Sequence, residues 1–333
     1  MIITRAPLRL PLGGGGTDLP GYSSQHGGLV ISVAINKYVY INLNRPHAED
    51  VIRLKYSRTE EVKTVDQIQH PLLRESLKLT GVGAPLEISA MADVPAGTGL
   101  GSSGSFLVAL LAALHAHGRD SIPLKQLAEE ACRVEIEMAG QPVGKHDQYL
   151  ATYGGLTCLE IDGSGGVSVS RVNAAPQTFE ELRYSLVLFY TGLRRESFDI
   201  LDDQNRKAAA SDRRVLESLH MIKEIGQEMK AALEENNVNR VGELMDLHWN
   251  VKKRMSNGIS NGQINRWYEI GLKCGALGGK LMGAGGGGFL VFFCPRQSDS
   301  KCRVRAAMTA EGLREMPFEF DFEGAKVIAN FRQ

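Results

Sequence analysis

Residues 95–105 read Pro95-Ala96-Gly97-Thr98-Gly99-Leu100-Gly101-Ser102-Ser103-Gly104-Ser105, and they run directly into the apolar stretch FLVALLAALHAHG at 106–118. Glycines let a backbone come close to a ligand, and the free N–H groups at a helix start favour an anion. The stretch therefore reads as a phosphate-holding turn at the mouth of a helix that ends at Gly118. Two familiar phosphate loops do not fit it. A Walker A turn needs Gly-Lys-Ser/Thr at the helix start, and 95–105 contains no lysine. A dinucleotide fingerprint can be drawn through Gly99, Gly101 and Gly104. However, the segment that follows, SIPLKQLAEEACRVEIEM at 121–138, reads as another helix and not as the strand and acid that such a unit requires. The bland alternative is a Gly/Ser loop with a serine cap.

Upstream of the turn, 2–10, 29–43 (LVISVAINKYVYINL) and 86–92 (LEISAMA) are rich in β-branched and aromatic residues and read as strands. Downstream, a helix is expected from about Pro123 to Met138, then strands near 154–161 and 166–172. The Pro176 region reads as a boundary, dividing the chain into 1–178 and 179–333. The second part should open with a strand at 184–192 and continue with a charged helical tract at 198–254, broken near Asn236 and Asn237. A helix at 263–277, a strand at Phe289–Cys294, a helix near 298–312 and a last strand around 318–322 complete it. This is an α+β pattern in two lobes.

Composition narrows the partners. The chain has 333 residues, 43% hydrophobic and 23% charged, which is ordinary for a globular protein. Lys plus Arg and Asp plus Glu both total 38, so bulk attraction to nucleic acid or to an anionic membrane is not expected. Cys132, Cys158, Cys274, Cys294 and Cys302 form no CxxC pair and lie in or beside apolar segments. Buried free thiols in a reducing compartment are expected, and neither a zinc site nor a disulfide framework. No run approaches the roughly 20 apolar residues of a membrane span, and the first residues contain no apolar signal core. A soluble cytoplasmic protein is the expectation.

Two further glycine clusters flank the central one. The first is Ala6-Pro7-Leu8-Arg9 leading to Gly13-Gly14-Gly15-Gly16-Thr17-Asp18, where a carboxylate stands beside bare backbone and suits a polyhydroxylated ligand. The second is Gly283-Ala284-Gly285-Gly286-Gly287-Gly288, placed between a helix and a hydrophobic strand. Taken in order, APLRLPLGGGGTD, PAGTGLGSS and GAGGGGF resemble the three motifs of the GHMP kinases, the superfamily of galactokinase, homoserine kinase, mevalonate kinase and phosphomevalonate kinase. The resemblance implies a ribosomal-protein-like α/β N-terminal domain, a ferredoxin-like C-terminal domain, and an ATP and sugar site between them.

The acids needed for phosphoryl transfer can be sought on that basis. At about 100° per residue, Leu124, Ala128, Ala131 and Glu135 share one stripe of the helix at 123–138, with Glu129, Glu130, Arg133 and Glu137 opposite. Glu135 is thereby expected inside, where a carboxylate needs a partner. A buried salt bridge is one reading. The resemblance implies the other, Mg²⁺ held by Glu135 and Ser103. It also implies ATP on Pro95, Gly97, Gly99, Leu100, Gly101, Ser102, Ser103, Gly104 and Ser105, Asp147 facing the acceptor hydroxyl, and Arg9 beside it. His146 is read as structural.

The first motif carries Gly-Gly-Gly-Thr-Asp where galactokinases have Gly-Glu-His-Thr-Asp. With GKHDQY at 144–149 and YTGLRRES at 190–197, the chain resembles the branch of D-glycero-D-manno-heptose 7-phosphate kinases and fucokinases. That implies a sugar 1-kinase whose acceptor is heptose 7-phosphate or an unphosphorylated, fucose-type sugar. Gly15, Gly16, Thr17, Asp18, Gly285 and Gly286 are the implied sugar contacts, with Lys145, Arg194 and Arg195 as cations for a distal phosphate. The oligomeric state stays open. A sensor on the same fold would be expected to lose an acid, yet Ser103, Glu135 and Asp147 are all present.

Overall fold

The computed structural model describes residues 1–193, 198–256 and 258–331. Before the central glycine turn come β1 (Ile2–Gly13), α1 (Pro20–His26), β2 (Gly28–Asn44), β3 (Ile52–Lys55), β4 (Thr59–Val62), α2 (Pro71–Thr80) and β5 (Leu86–Ala92). After it come α3 (Ser102–Gly118), α4 (Leu124–Cys132), α5 (His146–Tyr153), β6 (Leu156–Ile161), β7 (Val167–Arg171) and α6 (Pro176–Ser185). The remainder holds β8 (Leu186–Tyr190), α7 (Phe198–Ala209), α8 (Arg213–Glu234), α9 (Val238–Lys252) and α10 (Gly262–Lys273). It ends with β9 (Gly278–Leu281), β10 (Phe289–Phe293), α11 (Ser300–Ala310), β11 (Arg314–Glu315) and β12 (Lys326–Asn330).

Among the described residues these strands form two sheets. The first has the order β12-β1-β2-β5-β3-β4, and β2 is long enough to pair β5 along its second half and β6 along its first. The second is antiparallel, β11-β8-β10-β9. β1 and β2 pair antiparallel, with a register shift between Pro7 and Leu8. Such an irregularity changes the direction in which the following side chains point. Arg9 is the second residue beyond it.

Packing joins the two sheets. One apolar cluster runs from Leu8, Leu10 and Leu12 of β1 through Leu219, Ile222 and Met229 of α8 to Val291 and Phe292 of β10. A second packs α2 and α3 onto the face made by β2, β3 and β5, through Leu73, Leu77, Leu107, Leu110, Leu111, Ile41, Leu54 and Ile88. Trp249 of α9 is fully buried, 6.2 Å between ring centres from Tyr268, which in turn stacks on Phe292 at 6.0 Å. Among the described residues, no helix is long and apolar enough to cross a membrane.

Several expectations need correction. The tract at 198–254 is three helices, because Ser211 adopts a left-handed backbone with φ 58° and Asp212 caps a new helix by accepting from Val215 N at 3.0 Å. Residues 318–322 form no strand, only a bridge from Phe320 to Ile35. The Asp321 side chain accepts from the backbone of Glu323 and Gly324, turning the chain there, and the last strand, β12, returns to pair with β1. The helix expected to reach 277 stops at Lys273, and Gly278–Leu281 become a strand. Cys302 is exposed and Cys274 half-buried, so the thiols are not all buried.

The burial of Trp249 makes a direct prediction. Trp249→Ala should lower unfolding free energy by about 3–5 kcal/mol, since a cavity replaces a ring at the centre of the second lobe. Urea titration followed by far-UV circular dichroism would show it, and a loss below about 1 kcal/mol would contradict the packing described.

Candidate active site

The centre of the site is an ion pair that joins the two ends of the first lobe's sequence. Arg9 Nε and Nη2 donate to Asp147 Oδ1 and Oδ2 at 2.7 and 2.8 Å, a two-pronged contact, while Nη1 donates to the Gly99 carbonyl at 2.6 Å. Arg9 is buried, and Asp147 is the partner still reachable from solvent, with 21% of its side chain exposed. Arg9 N also donates to Leu100 O at 3.1 Å, and Ser105 Oγ donates to Pro7 O at 2.7 Å. β1 is thereby fastened to the glycine turn at the arginine and two residues before it.

The turn can lie over this pair only because it is bare. Gly101 caps α3 with φ 78°, and a Cβ there would meet Arg9 and Asp147 atoms at 3.2 Å. A Cβ on Gly104 would sit 2.8 Å from Asp147 Cβ. Side chains at either place would push Asp147 off Arg9.

His146 links this pair to the first motif. Its Nδ1 lies 2.7 Å from Asp18 Oδ2, its backbone N–H donates to the same oxygen at 3.3 Å, and Nε2 stands 2.7 Å from Asp147 Oδ1. The last is an ion-pair contact without hydrogen-bond alignment. Burial opposes the charged ring, but Asp147 and Asp18 outweigh it and raise His146 to about 9. Burial also opposes both carboxylates. Arg9 and then His146 hold Asp147 far below the usual carboxylate range, and His146 lowers Asp18.

Glu135 differs from both. α4 gives way at Arg133–Met138 to a π-helical turn, which places Glu135 inside with 1% exposure. Of the stripe read from the sequence, Ala128 and Ala131 are buried with it, but Leu124 is exposed. Gln148 Nε2 donates to Glu135 Oε2 at 2.6 Å, whereas Oε1 is buried with no hydrogen-bond partner. Burial, opposed by the nearby Ser103 hydroxyl and reinforced by Asp147, raises this carboxyl to about 7. The buried salt bridge considered for it does not exist among the described residues.

A cleft of about 1070 Å³ opens here. Arg9, Pro95, Gly97, Gly99, Gly101, Ser102, Ser103 and Asp147 line it, with Gly283 and Ala284 from the third glycine cluster. Its wall also includes the ring group Tyr56, His70 and Phe106, with His70 4.8 Å from Tyr56 and 5.4 Å from Phe106 between ring centres. Other expected residues face elsewhere. Leu100 and Ser105 are buried behind the turn, Leu100 fully so. Thr17 Oγ1 is engaged with Gly14 O at 2.8 Å and with both backbone groups of Leu29, so it has no free hydroxyl for a sugar. Asp18 nests against Gly144, where a Cβ would come within 1.9 Å of its Oδ2. Lys145 Nζ donates to Gly165 O at 2.7 Å, in the turn between β6 and β7. Gly15 has open space around its Cα. Gly285 packs on Ile259, whose carbonyl accepts from Gly286 N at 2.9 Å. Arg194 and Arg195 lie outside the described residues. His146, read from the sequence as structural, is the residue that ties Asp18 to Asp147.

The comparisons point one way. Residues 64–155 match the model described as GHMP kinases N terminal domain, and 229–312 match GHMP kinases C terminal. D-glycero-alpha-D-manno-heptose 7-phosphate kinase of Campylobacter jejuni is 29% identical, over 98% of both chains. Mevalonate kinase of Methanothermobacter thermautotrophicus is 31% identical, over 66% of this chain and 68% of that one. A crystal structure described as a D-glycero-D-manno-heptose 1-phosphate kinase from Bacteroides thetaiotaomicron has the same fold, with TM-score 0.80 at 24% identity and full coverage of both chains.

The His146 bridge predicts a pH effect on stability. Its stabilising charge is present in full below the ordinary histidine value of 6.5 and is lost as pH rises through about 9. The melting temperature of the wild type should fall across that window more steeply than that of His146→Gln. Parallel curves from scanning calorimetry would contradict the bridge.

Proposed function

The chain belongs to the GHMP kinases, and from that premise we propose that it moves the γ-phosphoryl group of ATP onto the anomeric C1 hydroxyl of D-glycero-D-manno-heptose 7-phosphate, giving the 1,7-bisphosphate. Residues 1–178 and 179–333 are its two domains in this reading. The observation that carries the reading is the Arg9–Asp147 pair beneath the glycine turn, within one cleft. The heptose assignment is supported by the Campylobacter jejuni relative, which matches from end to end. It is supported as well by a first motif that lacks the Glu-His of galactokinases.

In this mechanism the turn at 97–103 seats the phosphates on backbone N–H groups at the start of α3. The acceptor oxygen attacks the γ-phosphorus in line, the bond to the ADP oxygen breaks, and no covalent enzyme intermediate forms. Asp147 accepts a hydrogen bond from the attacking hydroxyl. Because Arg9 and His146 keep it ionised and weakly basic, it orients the hydroxyl first and takes the proton late, as the new P–O bond forms. Arg9 stabilises the charge that develops on the oxygen.

Magnesium fits the residues present. Glu135 Oε1 is an orphaned buried acceptor with the Ser103 hydroxyl close by, and one carboxylate plus substrate phosphates is a usual Mg²⁺ environment. Among the described residues there is no cluster of three or more His, Cys, Asp or Glu that could hold a metal unaided. Bound at Glu135 and Ser103, the ion would neutralise phosphate charge.

Two experiments test the proposal. Asp147→Asn should lower kcat by about 10²–10⁴-fold with ATP affinity nearly unchanged, and wild-type turnover in that variant would remove Asp147 from its role. In a coupled ADP assay, heptose 7-phosphate should be consumed well ahead of free fucose and free mannose. Preference for a free sugar would replace the acceptor while keeping the kinase.

A further inference from the structure

α9 ends at Lys252, and this side chain turns into the protein, leaving 7% of the residue exposed. Its ammonium donates to the Gly283 carbonyl. Gly283 lines the cleft and lies against the central turn, since a Cβ on it would come within 2.5 Å of Gly99 Cα. Gly99 is the residue whose carbonyl receives Arg9. Lys252 therefore approaches, from the second lobe, the same pair of glycines that Arg9 approaches from the first.

The surroundings supply too few negative charges. Behind Lys252, Lys280 and His248 are 1% and 0% exposed, and Lys280 Nζ stands 2.8 Å from His248 Nδ1 and donates to Leu12 O at 3.3 Å. Among the described residues no carboxylate pairs with Lys252, Lys280 or His248. Asp18 is the acid that attracts Lys252, yet it is already bound to His146, and Asp147 is bound to Arg9. An ammonium buried without a counter-ion is costly. Burial and Arg9, opposed by Asp18, draw Lys252 down to about 8, so it still carries a proton at neutral pH. Lys280 and His248 are driven well below their ordinary values, by burial first and then by their cationic neighbours. The site thus presents the cations Arg9, His146 and Lys252 against the anions Asp18 and Asp147, with Glu135, raised to about 7, only partly ionised near neutral pH.

We propose that Lys252 is a binding residue of the active site, whose ammonium leaves the Gly283 carbonyl to take a phosphate dianion entering the cleft. The proposal rests on the kinase reading and adds to it a cation from the second lobe. Two sources offer the same chemistry, the phosphoryl group in transfer and the phosphate ester of the acceptor. A phosphate beside Lys252 supplies the missing counter-charge and strengthens its hold on the proton.

Lys252→Met and Lys252→Arg separate the outcomes. If the transferred group is the ligand, Lys252→Met lowers kcat by about 10²-fold with phosphorylated and free acceptors alike. Calorimetry then also shows weaker binding of inorganic tripolyphosphate. If the acceptor's ester is the ligand, Lys252→Met raises KM for heptose 7-phosphate by about tenfold or more, leaving tripolyphosphate binding and free-sugar turnover unchanged. In either case Lys252→Arg recovers part of the loss and moves the alkaline limb of kcat/KM to higher pH, because an arginine stays charged. Should the wild type turn over no sugar at all, the kinase reading fails by itself, and tripolyphosphate binding still reads the role of Lys252. Folded variants with wild-type kcat, KM, pH limb and tripolyphosphate affinity would overturn the proposal.

Discussion

Everything in this site depends on keeping one largely enclosed carboxylate ionised. Solvent reaches only part of Asp147, and Arg9 supplies two parallel hydrogen bonds and a full positive charge. That arrangement in turn constrains the backbone above it. Gly101 and Gly104 must have no side chain, and a register shift in β1 stands two residues before Arg9. The glycine turn is therefore serving two needs together. In the proposed function its N–H groups would take the phosphates, and its missing side chains leave room for the Arg9–Asp147 pair. A lysine-bearing phosphate loop would satisfy the first need and not the second.

The three acids of the site are distinguished chiefly by their neighbours. Asp147 faces Arg9 and His146, Asp18 faces His146, and both are lowered despite burial. Glu135 has an amide and a hydroxyl beside it and no cation, so burial prevails and its carboxyl rises to about 7. An acid left in that condition by the protein is suited to a cation brought by a ligand. The π-helical turn matters to this outcome because it places Glu135 across from Gln148 in α5, one residue beyond Asp147. Glu135 and Asp147, the acids proposed for the metal and the acceptor, thus both meet a single short helix.

Much of this was legible in the residues. Long β-branched runs gave the principal strands, and the glycine turn before an apolar helix marked the phosphate side. The order of the three glycine clusters carried the family, and the family carried Asp147 and Arg9, which the structure brings into contact. What could not be read has physical reasons. β12 is short and mostly exposed, and it pairs with the far end of the chain, so no local pattern announces it. Thr17 looks like a sugar contact in GGGGTD, yet its hydroxyl satisfies the backbone of the β1–β2 connection, a use that depends on Leu29 lying opposite. His146 passes for an ordinary histidine until Asp18, 128 positions earlier, is folded onto it.

The third glycine cluster explains why the cleft needs both lobes. Gly283 lies on Gly99, and Gly288 lies on Thr98, where a Cβ would come within 2.2 Å of the carbonyl oxygen. Gly288 O in turn accepts from Thr191 N at 2.9 Å, tying the contact to the strand that opens the second sheet. Backbone packed on backbone permits little adjustment, because there are no side chains to change rotamer. The seam therefore sets the distance between groups of the first lobe, Arg9, Asp147 and Glu135, and the second lobe's Lys252, through the carbonyl of Gly283. A larger residue at 283 or 288 would separate the lobes at the cleft. Its effect would fall on the alignment of charges across the cleft before it reached either core.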